Sequence, residues 1–379
     1  MSTTQQISAE PDAPSALTII DADVHNAVPP DSIHALAPYM SKRWSGYLEL
    51  IGARSLGEDP LVRARPATSR SDAWPPNGKG PGEDPEFVRE QLLDAYGIHC
   101  AILNNTSGTW QPYIGGNQPA GLTIELMHAL NEWAGDAWLA VDPRWRSSIC
   151  VPFEEPDAAA REIALRREGR DAERWVQVLI ADRTEKPIGN PKYWPLLEAA
   201  AEHGVPLAFH PGGRGMNPIT GCGWPSFYYE DHVGYPQAAF SHLASLIFEG
   251  AFDRWPQLKI VMVEGGYSWA VPFSWRLDSA WRLLRDEVPD LQRKPSEYLR
   301  DRVWYTTQPV EEPERPQWYD AMYRQMERAG LGERLMFSTD YPHWDFDSPT
   351  HALPRSLGQQ SRRRIMAENA SALYGIPLT

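Results

Sequence analysis

Short apolar runs alternate along the chain with longer stretches whose apolar residues recur every three or four positions. The first run, residues 17–20 (Leu-Thr-Ile-Ile), is rich in β-branched residues and leads into Asp21-Ala22-Asp23-Val24-His25. That composition predicts a buried strand whose carboxyl end carries charge. Residues 85–96 then place Phe87, Val88, Leu92, Leu93 and Tyr96 at helical spacing, and Gly97 ends the helix. From there the two patterns repeat. Strands are expected at 100–103, 148–151, 175–181, 206–210, 258–263, 303–306 and 335–338. Helices are expected at 122–140, 157–168, 194–203, 240–248, 269–285 and 318–329, with a closing helix over 362–374. Eight short apolar strands separated mostly by helices predict a parallel sheet with helices packed outside it, and eight such units suit an α/β, distorted (β/α)8 TIM barrel. The rival is an open doubly wound sheet, which usually shows a glycine-rich turn after its first strand. Here that turn, Asp21 to His25, has no glycine.

Two regions break the rhythm. Residues 1–14 are polar, with two prolines, and read as a flexible tail ahead of a single barrel domain over 15–379. Between the first strand and the first periodic helix lies a long insertion, 26–84, irregular from Pro29 onward. It has one expected helix near 31–40 and a Pro-, Gly-, Arg- and Ser-rich stretch over 57–82. A loop of that length inside a compact domain reads as a lid or as a surface insertion.

Composition narrows the partners. The 379 residues carry a formal charge of −14, and an acidic balance argues against nucleic acid, which needs a clustered positive field. No apolar run is long enough to span a membrane, and no basic segment followed by an apolar one marks a secretory signal. Three cysteines without paired spacing, Cys100, Cys150 and Cys222, fit a reducing cytoplasm better than a disulfide framework. The 16 tryptophans point to a large aromatic core or an aromatic-lined pocket.

In a barrel of this kind the active site lies at the carboxyl ends of the strands. The residues expected there are Asp23 and His25 after the first strand, His210 after the fifth, Glu264 after the sixth and Asp340 after the eighth. Asp23 and His25 are two apart on an extended segment, so both side chains leave the same face. Each has a structural reading as a hydrogen-bonded strand end or a turn, but the four metal-capable residues Asp23, His25, His210 and Asp340 converging on one end are hard to explain as packing. Two imidazoles and two carboxylates suit one divalent ion such as Zn²⁺ or Mn²⁺.

These residues carry a family resemblance. Ile20-Asp21-Ala22-Asp23-Val24-His25, Pro206-Leu207-Ala208-Phe209-His210-Pro211-Gly212, Phe252-Asp253-Arg254-Trp255-Pro256, Phe337-Ser338-Thr339-Asp340-Tyr341-Pro342-His343 and Glu368-Asn369-Ala370 follow one another in the order of the amidohydrolase superfamily. The chain resembles its amidohydrolase-related branch, which includes aminocarboxymuconate-semialdehyde decarboxylase and the decarboxylases of γ-resorcylate and carboxyvanillate. The resemblance implies that Asp23, His25, His210 and Asp340 bind the metal and that Asp340 also relays a proton. It implies a homodimer as well. One departure stands at strand six, where many relatives carry histidine before Gly-Gly and this chain has Glu264, a base or a further ligand. With Asp23 replacing the first histidine, the site is harder, which favours manganese or iron(II) over zinc. Strand four offers Gln177 and no lysine for a bridging carbamate, so one metal ion is expected rather than two.

The expected chemistry is hydrolysis of a small cyclic or aromatic compound by metal-activated water. Nonoxidative decarboxylation of a hydroxyaromatic or unsaturated carboxylate is the alternative, and a catalytically silent barrel serving as a binding subunit is a third reading. Asp340, Glu264 and His343 are the candidate catalytic residues. Trp269, Arg276 and Trp344 are candidates for substrate binding, Arg276 as a clamp on a carboxylate or as an ordinary exposed helix arginine. His242 is a weaker candidate. The aromatic stretch Trp224, Phe227, Tyr228 and Tyr229, with Trp74 and Trp110, favours a flat small-molecule substrate or fills a dimer interface, and residues 212–215 suggest a flexible loop.

Overall fold

A computed structural model describes residues 17–29, 31–53, 69–105, 119–212 and 218–378. The expected tail therefore lies outside the described residues, as do Trp110, residues 213–215 and part of the 26–84 insertion.

Eight parallel strands pair in sequence order: β1 Ile20–Val24, β2 Cys100–Leu103, β3 Trp145–Cys150, β4 Trp175–Ala181, β5 Leu207–His210, β6 Ile260–Met262, β7 Val303–Thr306 and β8 Leu335–Met336. The amide of Ala22 donates to Phe337 O at 2.9 Å, and Val24 bridges Tyr341, which brings the last strand back against the first. The result is a (β/α)8 barrel. Helices stand between the strands, among them Ala120–Ala134, Pro156–Glu168, Trp194–Glu202, Tyr235–Phe248, Ala270–Leu284 and Pro316–Arg328.

Parallel strands covered on both faces are mostly apolar, and all seven residues of β4 and all five of β1 are buried, Gln177, Asp21 and Asp23 among them. The large cluster packs the outside of the strands against the helices. A smaller one joins Ile20, Ala22, Cys100, Ala208, Val261, Trp304 and Met336, which belong to six different strands, with Ala370, Leu373 and Ile376 of the closing segment. Side chains from so many strands meet only inside the barrel. Ile20 and Cys100 open their strands, so the helix Asn369–Tyr374 closes the amino end, opposite the strand termini that carry charge.

Most expected elements are present with shifted ends. Gly97 and Gly204 adopt φ of +63° and +65°, the left-handed conformation that ends a helix. The apolar run 335–338 forms only a two-residue ladder. Beyond Met336 the amide of Phe337 turns to Ile365 O, that of Ser338 to Thr307 Oγ1 and that of Thr339 to Asp21 Oδ1. A further helix, Lys42–Leu50, forms within the insertion and buries Leu48. Among the described residues no helix is long and apolar enough to cross a membrane.

Candidate active site

A register shift in β1 sets the site. Ile20 and Ala22 face the barrel interior, but Val24 packs in the outer core, because the pairing with β2 is irregular between Asp21 and Val24. A bulge of this kind switches the alternation and re-aims the side chains that follow. Asp21 fixes the kink: its carboxylate accepts from the Asp23 amide (3.2 Å), the Thr339 amide (2.9 Å) and the Thr339 hydroxyl (2.6 Å).

Asp23, His25, His210, Glu264 and Asp340 each contribute one ligand-type atom to a cluster in which all five lie within 4.8 Å of one another, and all five residues are buried. Glu264 and Asp340 hold φ of 54° and 57°, a left-handed backbone that is costly for residues other than glycine and gathers at functional sites.

The hydrogen bonds leave one free atom on each of four residues. His25 Nδ1 bonds Asn104 O at 2.8 Å, and His210 Nδ1 bonds Pro211 O at 2.9 Å, which assigns the proton to Nδ1 and leaves Nε2 with its lone pair. Asp23 Oδ1 accepts from Asn104 Nδ2 at 2.8 Å, and Asp340 Oδ1 takes His343 Nδ1 at 2.7 Å. The remaining atoms, His25 Nε2, His210 Nε2, Asp23 Oδ2 and Asp340 Oδ2, are buried without a hydrogen-bond partner. His25 Nε2 approaches Asp340 Oδ1 to 2.7 Å and His210 Nε2 approaches Glu264 Oε2 to 3.1 Å, yet neither contact has hydrogen-bond geometry. Orphaned polar atoms are expensive, and atoms that crowd together without bonding one another fit a common cation. The donor set, nitrogen and carboxylate oxygen, suits a divalent transition ion.

The charges follow. Burial works to raise the Asp340 carboxyl, but His343 and His25 outweigh it and hold it well below the usual range. Burial and the Asp340 charge raise Glu264. Burial opposes the protonation of His343, yet Asp340 beside it raises the imidazole to about 9. His210 is likewise raised, against its burial, by Asp23 and Glu264.

Around the cluster, the His343 ring lies 4.4 Å from that of His25, and the half-exposed Trp344 donates its indole N–H to the Tyr228 hydroxyl oxygen at 3.1 Å. Tyr229 and His232 pack on Trp344, so part of the aromatic stretch does border the strand-eight loop. Trp269 is turned into packing with Phe240, Phe273 and Tyr305, its N–H bonded to Gly265 O at 2.9 Å. Arg276 is exposed on the helix Ala270–Leu284, and Trp74 and Trp224 are exposed as well. Sequence reasoning missed Asn104, which serves two of the cluster residues, although its place at the carboxyl end of β2 marks it by the same strand-end rule. It also missed the pair His232–Asp345, joined at 3.0 Å and held by Gln308.

His242 has a structural role. Its ring stacks on Phe209, Nδ1 accepts from the Ile188 amide (3.2 Å) and Nε2–H donates to Asp182 O (2.8 Å), so it is neutral. Burial lowers its pKa to about 4. The unfolded chain then binds a proton that the folded one refuses, so this contribution is complete above about pH 6.5 and is lost as pH falls toward 4, a loss of about 3 kcal/mol. Asp182 and Asp347, both raised to about 7 by burial, act in the opposite direction as pH rises. As pH falls from 7 to 4.5, the wild-type stability measured by urea unfolding should therefore drop relative to that of His242→Gln; an unchanged difference would contradict this.

The family described as Amidohydrolase matches residues 20–376. The chain belongs to that family. A γ-resorcylate decarboxylase from Polaromonas sp. is 25% identical over 310 residues, covering 76% of this chain and 86% of the relative. Among solved structures, an amidohydrolase from Mycobacterium avium subsp. paratuberculosis superposes with a TM-score of 0.70 at 22% identity, over 95% of this chain and 98% of that one. A 5-carboxyvanillate decarboxylase from Novosphingobium aromaticivorans, solved with manganese and 4-hydroxy-3-methoxy-5-nitrobenzoic acid, superposes with a TM-score of 0.68 at 20% identity, over 99% of this chain and 100% of that one. These two likenesses bear on the fold. The named relatives correct one expectation: hydrolysis was the expected chemistry and decarboxylation the alternative, whereas these γ-resorcylate relatives are decarboxylases. Machinery common to both reactions carries no signal for either.

Proposed function

We propose that this protein is a metal-dependent, nonoxidative decarboxylase of a small hydroxyaromatic carboxylate. Asp23, His25, His210 and Asp340 would hold one divalent ion, and the observation that carries the reading is their four buried atoms left without hydrogen-bond partners. Manganese in a solved relative and the carboxylate-rich donor set favour Mn²⁺ over Zn²⁺ or Fe²⁺. When bound, the ion supplies positive charge that orients the substrate carboxylate and a neighbouring hydroxyl.

The protein's own groups divide the remaining work. Environments push the two carboxyl groups apart, Asp340 downward and Glu264 upward. Such a split assigns the anion and the acid. Asp340 stays ionised and keeps the His343 imidazole charged at the rim. Glu264, raised toward neutrality, delivers a proton to the ring carbon that bears the carboxylate. The carbon–carbon bond then breaks, its electron pair restores the aromatic ring, and carbon dioxide leaves. Trp344, with Tyr228, Tyr229 and His232, supplies a flat wall for the ring. The 26–84 insertion would cover this mouth as a lid within a single domain over 15–379. A homodimer belongs to the same reading, supported by the exposed Trp275, Leu283 and Leu284 on one helix.

Carbon dioxide release from a panel of hydroxybenzoates, with Mn²⁺ supplied, tests the reaction. Release from an ortho-hydroxylated acid and none from benzoate is expected; no release from any member would count against it. Glu264→Gln tests the acid. The rate should fall by roughly 10²–10⁴ while bound metal stays near the wild-type level, since the amide keeps the shape and loses the proton. A parallel fall in metal content would make Glu264 a ligand instead.

A further inference from the structure

A line of polar side chains runs through the largely apolar barrel interior. Tyr374 O–H donates to Gln177 Oε1 (2.7 Å), and Gln177 Nε2 donates to Asn104 Oδ1 (3.1 Å) and to Ser148 Oγ (2.9 Å). Ser148 O–H donates to Asn104 Oδ1 (2.5 Å), and Asn104 Nδ2 donates to Asp23 Oδ1 (2.8 Å). Gln177, Asn104, Ser148 and Asp23 are all buried. The line starts on the helix that plugs the amino end and finishes at the cluster on the opposite end.

Every bond in the line points the same way, toward Asp23. The direction is forced from the Asp23 end: its carboxylate only accepts, so Asn104 must present its NH₂ there and its oxygen to Gln177. Gln177 must then present NH₂ to Asn104 and its oxygen to Tyr374, which must donate. Flipping either amide sets oxygen against oxygen in a buried site. Bonds aligned head to tail polarise one another, so the last donor to Asp23 strengthens with those behind it. Asn104 also serves His25, whose Nδ1 bonds its backbone oxygen at 2.8 Å, while the Asn104 amide is tied to Val24 O at 2.8 Å. Burial and the Asp23 charge raise the Tyr374 hydroxyl far above its usual range, so it remains a donor.

We propose that Tyr374, on the closing helix, is a positioning residue for the metal centre at the other end of the barrel, acting through Gln177 and Asn104 on Asp23 and His25. The inference rests on the reading that those two residues hold a divalent ion. It gives the C-terminal helix a role beyond plugging the barrel, and it accounts for a glutamine, a serine and a tyrosine hydroxyl beside an apolar interior cluster.

The test is Mn²⁺ affinity of the full-length protein by calorimetric titration, with thermal unfolding of the metal-free protein read in parallel. Tyr374→Phe removes only the hydroxyl and should raise Kd roughly three- to tenfold, at the lower edge of what outer partners of metal ligands cost. Gln177→Met breaks the line at its middle and should raise Kd further. The double variant should bind no more weakly than Gln177→Met alone, because residues acting in series do not add. Ser371→Ala is the control: it removes a bond from the same helix to Ile376 O, just beyond the helix end, and should lower thermal stability without changing Kd. Unchanged Kd in Tyr374→Phe, additive losses in the double variant, or an equal loss in Ser371→Ala would each overturn the inference and leave the metal reading standing. A wild-type protein that binds no Mn²⁺ would overturn both.

Discussion

Replacing Asp340 with asparagine is expected to lower turnover at least about a thousandfold while leaving the fold intact. The fold should survive for a local reason. Asp340 sits at φ 57°, and asparagine is the side chain that tolerates this conformation best after glycine. The amide has the same shape, and the backbone bond from Asp340 N to Asp23 O, 3.0 Å, does not depend on the side chain. What disappears is charge. One anionic ligand is lost, and His343 loses the partner that raises its imidazole to about 9. In the variant the His343 pKa should fall back toward that of an ordinary histidine. Circular dichroism, turnover and the NMR titration of His343 read the three consequences separately. A variant working at a near-normal rate would remove Asp340 from the mechanism.

Stripping the metal with a chelator should abolish turnover and lower the melting temperature, and Mn²⁺ should restore both. Without a cation, Asp23, Glu264 and Asp340 share a buried space with only histidines to balance them. An ion that binds only the folded protein stabilises it by about 2.7 kcal/mol at a hundred times its dissociation constant, which for a chain of this size is a shift of roughly 3 °C. The pH dependence has a definite sign. In the metal-free protein the raised pKa of His210 contributes stability that is complete below about 6.5 and is lost as pH rises through the folded value. The metal needs that nitrogen deprotonated, so binding releases a proton and strengthens with pH. The Mn²⁺-induced shift should therefore be larger at pH 8 than at pH 6. A shift that is absent, or larger at pH 6, would contradict the assignment of His210.

The barrel was legible because parallel strands buried on both faces must be continuous apolar runs, and helices packed on one side must be periodic. The cluster was legible for a related reason: Asp23, His25, His210, Glu264 and Asp340 interrupt those runs at one end, where only a solvated or a paired charge is tolerable. Residues whose role depends on partners distant in sequence were not legible. Asn104 looks like any polar strand end until Asp23 and His25 are placed beside it. The bulge in β1 has no local signature, since Asp21 holds it through Thr339, 318 residues away. Helical spacing could not orient Trp269 or Arg276, because both the pocket and the outer surface accept an amphipathic helix. The choice between hydrolysis and decarboxylation rests on which atom receives a proton, and side-chain identities common to both reactions do not encode it.

On the proposed reading, Asp23 of β1, His25 just beyond it, His210 of β5 and Asp340 in the turn after β8 form one cation site. Metal content after Mn²⁺ loading and removal of free ion measures it directly. About one Mn²⁺ per chain is expected in the wild type and nearly none in His210→Ala, with the fold of both proteins the same. Loading of His210→Ala to the wild-type level, or a wild type that retains no ion, would contradict it.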